Sequence, residues 1–126
     1  MAVKGLLYTK DHEWVSIEGA AATVGITDYA QEQLGELVFV ELPVIGKQVS
    51  AHDEIAIVES SKAASDVYSP VTGKVIEVNQ ELESSPELIN EDCYKKGWIV
   101  KLQLSDPTPP EDLMDSDQYK DYVAGL

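Results

Sequence analysis

Turn residues punctuate this chain at short intervals. Gly19, Gly25, Gly35, Pro43, Gly46, Pro70 and Gly73 divide it into short pieces rich in Val, Ile and aromatic side chains. Such intervals suit strands and leave little room for long helices, so an all-β core is expected. WVSIEG (14–19) and AATVGI (21–26) read as a hairpin about Glu18 and Gly19. LVFVEL (37–42) is a continuous apolar run, the pattern of a strand covered on both faces. EIAIVE (54–59), DVYSPV (66–71), GKVIEV (73–78) and GWIVKLQL (97–104) supply further strands.

Short helices interrupt this pattern. TDYAQEQLG (27–35) predicts one, with Asp28 as cap, Gln31 following it, and Gly35 closing it. Ser85-Pro86 can open a helical turn through ELIN (87–90), because proline suits the first helical position. A boundary comes at SDPTPPED (105–112), where Pro107, Pro109 and Pro110 stop the last strand. The following DLMDSDQYKDYV supports a helix, with Asp115 as cap and Tyr119, Tyr122 and Val123 as its apolar stripe. At that length it must pack on the body to be stable. The 126 residues are expected to form one domain, with a core over 14–104 and a helical appendage over 110–124. A faint echo links V-I-G-K-Q-V (44–49) to V-T-G-K-V-I (71–76). It hints at two similar β halves with Lys62 at their joint.

Charge excludes several functions. Asp and Glu number 23 against nine basic residues, all of them lysine, for a net charge of −14. Without arginine there is no guanidinium fork to grip phosphate or guanine, and the negative field repels polyanions. Neither nucleic acid nor an anionic membrane is an expected partner. No apolar stretch approaches the ~20 residues of a membrane span, and the opening MAVKGLLYTKDHEW lacks a secretory signal. The lone Cys93 cannot form an internal disulfide. A soluble cytoplasmic protein is the expectation. Its acidic surface suits solubility and steered, transient docking to basic partners.

No GxSxG, Walker or dinucleotide-glycine pattern is present, so no enzymatic activity and no catalytic residue are expected. Asp11-His12-Glu13 and His52-Asp53-Glu54 could join into a metal site only if adjacent in space. Neither has a two-ligand helical spacing, and none is expected to bind metal.

One charged side chain stands apart. In IVESSKAASDVYSP (57–70), Lys62 is surrounded by Ser60, Ser61, Ala63, Ala64 and Ser65. Symmetrical pairing about residues 61–64 would set Val58 opposite Val67 and Glu59 opposite Asp66. The turn has no Gly or Asn, which disfavours positive-φ turns and favours type I. Lys62 then occupies an exposed corner, open to another protein's active site. A primary amine on a four-carbon stem can be acylated into a long swinging arm, which arginine could not. The same residues would equally make an ordinary solvated turn.

This stretch is similar to the attachment sequence of lipoyl-carrying domains. YTKDHEWV (8–15), VGITDYAQEQLGELVFVELP (24–43), ESSKAASDVYSPVTGKVIEVN (59–79), LIN (88–90), GWIVKL (97–102) and the closing DLMDSDQYKDYV resemble, in the same order, segments of the glycine cleavage system H proteins. One departure is Ser61, where that family usually has valine before the modified lysine.

The resemblance implies a lipoyl-domain-like fold, mainly β. This is a β-barrel/sandwich hybrid of two antiparallel sheets, with short helices and a C-terminal helix. It implies a non-catalytic carrier in glycine catabolism and one-carbon metabolism, with lipoate amide-linked to Lys62. The implied partners are the glycine decarboxylase (P protein), the aminomethyltransferase (T protein), dihydrolipoyl dehydrogenase (L protein) and lipoate-attaching enzymes, visited by a monomer. Glu59 resembles the acidic residue that the attaching ligase reads, with hairpin solubility as its alternative role. Residues near His12 and on the 27–35 helix would line a cleft for the loaded arm. Three alternatives stay open: a lipoyl domain of a 2-oxoacid dehydrogenase, a biotin carrier, and a β interaction module with an unmodified lysine. The first is usually joined to linkers and catalytic domains. The second would place methionines beside the lysine, where this chain has Ser61 and Ala63.

Overall fold

The computed structural model describes residues 3–106 and 108–126. Its strands are β1 (Leu7–Tyr8), β2 (Glu13–Glu18), β3 (Ala21–Ile26), β4 (Leu37–Glu41), β5 (Gln48–Val49), β6 (Glu54–Ser60), β7 (Ala64–Tyr68), β8 (Gly73–Val78) and β9 (Val100–Leu104). Among the described residues they form a six-stranded sheet ordered β1-β2-β3-β9-β8-β5 and a three-stranded sheet ordered β4-β6-β7. All pairings are antiparallel. The helices are α1 (Asp28–Leu34), α2 (Glu81–Ser84), α3 (Leu88–Asp92) and α4 (Ser116–Ala124). This is the mainly β, two-sheet architecture with short helices and a C-terminal helix that the sequence predicts.

Both sheets feed one core. Val15, Val24, Val100 and Leu102 from the larger sheet join Leu37, Val58 and Val67 from the smaller, all essentially without solvent contact. Full burial of such side chains stabilises by roughly 1.5–3 kcal/mol each, before entropy is counted. The two echoed segments pair with each other: Gln48 lies opposite Lys74 and Val49 opposite Gly73. Gly25 does not mark a turn. It sits inside β3 opposite Trp14, whose indole lies where a Cβ would fall, 2.7 Å from it.

Other details differ from expectation. The cap of α1 is Thr27, whose hydroxyl accepts from the Ala30 N–H at 3.3 Å. Thr27 has the extended backbone a cap requires. Asp28 falls in the first turn and accepts from the Gln31 side chain at 2.9 Å. Strand β4 is not covered on both faces: Val38 is 59% and Phe39 49% exposed, beside an irregularity between Leu37 and Phe39. Such an irregularity breaks the strict alternation of side chains, so two successive residues can both be exposed. The 66–71 strand runs over 64–68, and the 97–104 strand begins only at Val100. β1, β5 and α2 are too short to leave a periodic signal.

The C-terminal helix is closed by the expected cap. Asp115 accepts from the Gln118 N–H at 2.8 Å, and the Gln118 side chain accepts from the Asp115 N–H at 2.9 Å. The helix docks through Tyr119, stacked on Tyr8 with ring centroids 4.6 Å apart, in a small cluster with Trp14. Tyr122 and Val123 pack at its edge. Pro107 lies outside the described residues, while Pro109 and Pro110 follow the end of β9.

Candidate functional site

The β6–β7 hairpin carries the lysine, but in a different register. Val58 pairs with Ser65 and Glu59 with Ala64, two positions from the symmetrical expectation. The turn closes earlier because Ser60 closes it. Its N–H donates to the Ala63 carbonyl at 2.8 Å. Its hydroxyl accepts from the Lys62 and Ala63 N–H groups at 3.3 and 3.2 Å. Serine can replace a backbone acceptor in this way and so set where a turn falls. Neither Ser61 nor Lys62 has positive φ, so the primed hairpin turns are absent and Lys62 stays at the tip.

Residues 61–66 are all exposed. The Lys62 ammonium makes no hydrogen bond or ion pair among the described residues. Its stem lies over Gly35 at the end of α1: a Cβ built on Gly35 would stand 3.4 Å from Lys62 Cε and 3.9 Å from Nζ. The hairpin itself is held firmly, since β6 is the middle strand of its sheet and Val58 and Val67 are buried. Glu59 is half-buried on β6, between Phe39 on β4 and Ala64 on β7.

His12 is not near this tip. It lies in the β1–β2 turn at φ 69°. Its Nδ1 is 2.8 Å from the Tyr119 hydroxyl, and its ring is tilted against Tyr29 at 4.6 Å. Burial lowers its pKa, with Asp11 opposing. Tyr29 is near the start of α1 and Lys62 rests at its end, so about 10 Å of helix separates the two residues. His52 has its Nε2 3.0 Å from the Asp112 carboxylate and lines one cavity with Asp11, so the fold does bring the two His-carboxylate stretches near each other. No group of three or more His, Cys, Asp or Glu among the described residues could hold a metal ion.

Glu13, weighed in the sequence only as a metal ligand, is instead a buried carboxyl between the sheets. It is 2% exposed, accepts from the Thr9 hydroxyl at 2.6 Å and from the Tyr68 N–H at 3.1 Å. It therefore links β2 of the larger sheet to the end of β7 in the smaller. Burial raises its pKa to about 7, against the two hydrogen bonds. The signal was present as alternation: Glu13 shares a strand face with Val15. Cys93 is buried, and desolvation pushes its thiol up to about 12. At neutral pH it is a packed side chain and not a nucleophile.

The model of the family described as "Glycine cleavage H-protein" matches residues 6–125. A glycine cleavage system H protein of Parvibaculum lavamentivorans is 55% identical over 119 residues, 94% of this chain and 95% of that one. Another from Thermotoga maritima is 52% identical over 117 residues, 93% of this chain and 94% of that one. The crystal structure of a glycine cleavage system H protein from Mycobacterium marinum superposes with a TM-score of 0.87 at 39% identity, covering 98% of this chain and 99% of that one.

Proposed function

The chain belongs to the glycine cleavage H-protein family, and from that premise we propose that it is the lipoyl carrier of glycine cleavage, with lipoate amide-linked to Lys62. The observation that carries this reading is the lysine itself: a solvated, unpaired amine at the tip of a well-anchored hairpin, flanked by Ser and Ala. An amide bond there neutralises one charge and disturbs no ion pair. Lys62 would hold lipoate, and the bound group would supply a redox-active sulfur pair on which an aminomethyl group can be carried between glycine decarboxylase and the tetrahydrofolate-dependent aminomethyltransferase, with dihydrolipoyl dehydrogenase as the partner that restores the disulfide. The protein supplies no acid, base or nucleophile of its own to these steps. It supplies position, because a tethered group reaches each partner at high local concentration.

Glu59 is the acid a lipoate-attaching enzyme would read, three residues before Lys62 on the same hairpin. A resting place for the loaded arm would run along α1, from Lys62 at its end towards His12 at its start. The carrier would work as a single unit in the cytoplasm. No helix among the described residues is long and apolar enough to cross a membrane.

Lys62→Arg tests the reading. The charge is kept, and surface changes of this kind alter stability by about 0.5 kcal/mol or less. A guanidinium cannot take the lipoyl amide. Matched melting curves, an unlipoylated intact mass and no glycine cleavage without free lipoate are the expected results. A folded variant that sustained full turnover under those conditions would remove Lys62 from its role.

A further inference from the structure

At the tip of the β6–β7 hairpin the last paired residues are Glu59 and Ala64. Beyond them, Ser60 fastens the turn through both its backbone and its side chain. Its N–H donates to the Ala63 carbonyl at 2.8 Å. Its hydroxyl donates to the same carbonyl at 3.3 Å and accepts from the Lys62 and Ala63 N–H groups at 3.3 and 3.2 Å. Two turn amides therefore end on a single oxygen. The rest of the tip offers little to hold it. Residues 61–64 contain no Gly, Asn or Pro to impose a turn. Residues 61–66 are all exposed, so packing contributes little. Ser60 is half-buried at the end of β6, the middle strand of its sheet. Its hydroxyl thus ties a loose loop to the firmest strand beneath it.

We propose that Ser60 is a positioning residue for the acylation of Lys62: its hydroxyl fixes the lysine backbone at the tip where an attaching enzyme meets it. This rests on the reading of Lys62 as the attachment point. In that step the Lys62 ammonium releases a proton and its amine attacks the carbonyl carbon of a lipoyl acyl adenylate held by the attaching enzyme. The amide N–C bond forms, the C–O bond to phosphate breaks, AMP leaves with the electron pair, and the nitrogen gives up a second proton. Ser60 takes no part in these bond changes. It keeps the root of the amine in one place, and small errors of placement at a reacting group are costly in rate. Without the hydroxyl, the Lys62 and Ala63 amides turn to water, and the Glu59–Ala64 pair is the first to fray.

The test uses the full-length unmodified protein with lipoate, ATP and a lipoate-attaching enzyme. Ser60→Ala removes the hydroxyl and Ser60→Thr keeps one. Ser65→Ala is the control, since the exposed Ser65 hydroxyl lies outside the turn and donates to the Asp66 carbonyl at 3.4 Å. Solvent exchange of the Lys62 and Ala63 amides, followed by NMR, should quicken in Ser60→Ala and stay slow in the other two. Thermal melts of all three should stay near the wild type, because the tip is solvated. The kcat/KM for lipoylation, read by intact mass, should fall roughly tenfold in Ser60→Ala and hold in Ser60→Thr and Ser65→Ala. Rescue by threonine separates the hydroxyl from a general loosening of the hairpin. Ser60→Ala lipoylated at the wild-type rate, or Ser60→Thr as slow as Ser60→Ala, would overturn the positioning role and leave Lys62 as the attachment point. Unchanged exchange at both amides in Ser60→Ala would overturn it as well. A wild type that gains no lipoate at Lys62 by peptide mapping would overturn the attachment, and the positioning role with it.

Discussion

Glu13 is a buried residue whose chemistry departs from its ordinary state in the neutral pH range. Its carboxyl is buried between the two sheets, and burial raises its pKa from 4.5 to about 7. Between those values the folded chain holds the proton more tightly than the unfolded chain. Glu13 therefore favours folding fully below pH 4.5, and the advantage is lost as pH rises through 7. Glu13→Gln keeps an acceptor for the Tyr68 N–H and a polar contact for Thr9, without a titrating proton. The variant should match the wild type near pH 4 and exceed it by roughly 3 kcal/mol near pH 8. Denaturant melts of both proteins across that range check this. Parallel profiles would mean that Glu13 is not the group responsible.

Among the elements, α4 is the one whose place depends most on a few polar contacts. The Tyr119 hydroxyl lies 2.8 Å from His12 Nδ1 and 2.7 Å from the Thr27 hydroxyl. One side chain of the C-terminal helix thereby joins the β1–β2 turn to the cap of α1. Tyr119→Phe keeps the ring stacked on Tyr8 and removes only the hydroxyl. Thr27 is fully buried, so its loss of a partner is expected to cost roughly 1–3 kcal/mol. Thermal melts should report that loss. Amide exchange in α4 should quicken before exchange in the β core does. A variant with unchanged melting and unchanged α4 protection would show that apolar stacking alone docks the helix.

For the molecule as a whole, charge and exposed apolar surface act together. The net charge of −14 is spread over a small body. Phe39, Val44 and Ile45 are exposed beside a cleft of about 550 Å³ that also has Glu41 and Glu83 in its walls. A carrier that visits several enzymes needs encounters that are fast and contacts that release. Steering by the acidic field meets the first need, and salt screens it. The association rate with the glycine decarboxylase should fall as ionic strength rises from about 0.01 to 0.15 M, with dissociation changing less. Stopped-flow measurements would show this. A flat association rate would assign docking to apolar contact alone.

Much of this protein was legible in its residues. Turn spacing and β-branched runs located most of the strands, because burial on a pleated sheet selects those side chains with a short period. The Asp115 cap was legible because capping is local, completed within the first turn of α4. Lys62 was legible as an exposed tip because its small neighbours could cover nothing. Other features were not. Ser60 moved the hairpin register through a hydroxyl that competes with the backbone two and three residues on, a local choice that strand patterning does not encode. The irregularity in β4 left Val38 and Phe39 exposed in a run that looked fully buried. Glu13 acquired its raised pKa only when the second sheet covered it. Gly35 met Lys62 across the fold, at residues that no local pattern connects. Periodicity, caps and turn hydroxyls are written within a few neighbouring residues, whereas desolvation and contacts across the fold depend on atoms that only folding brings together.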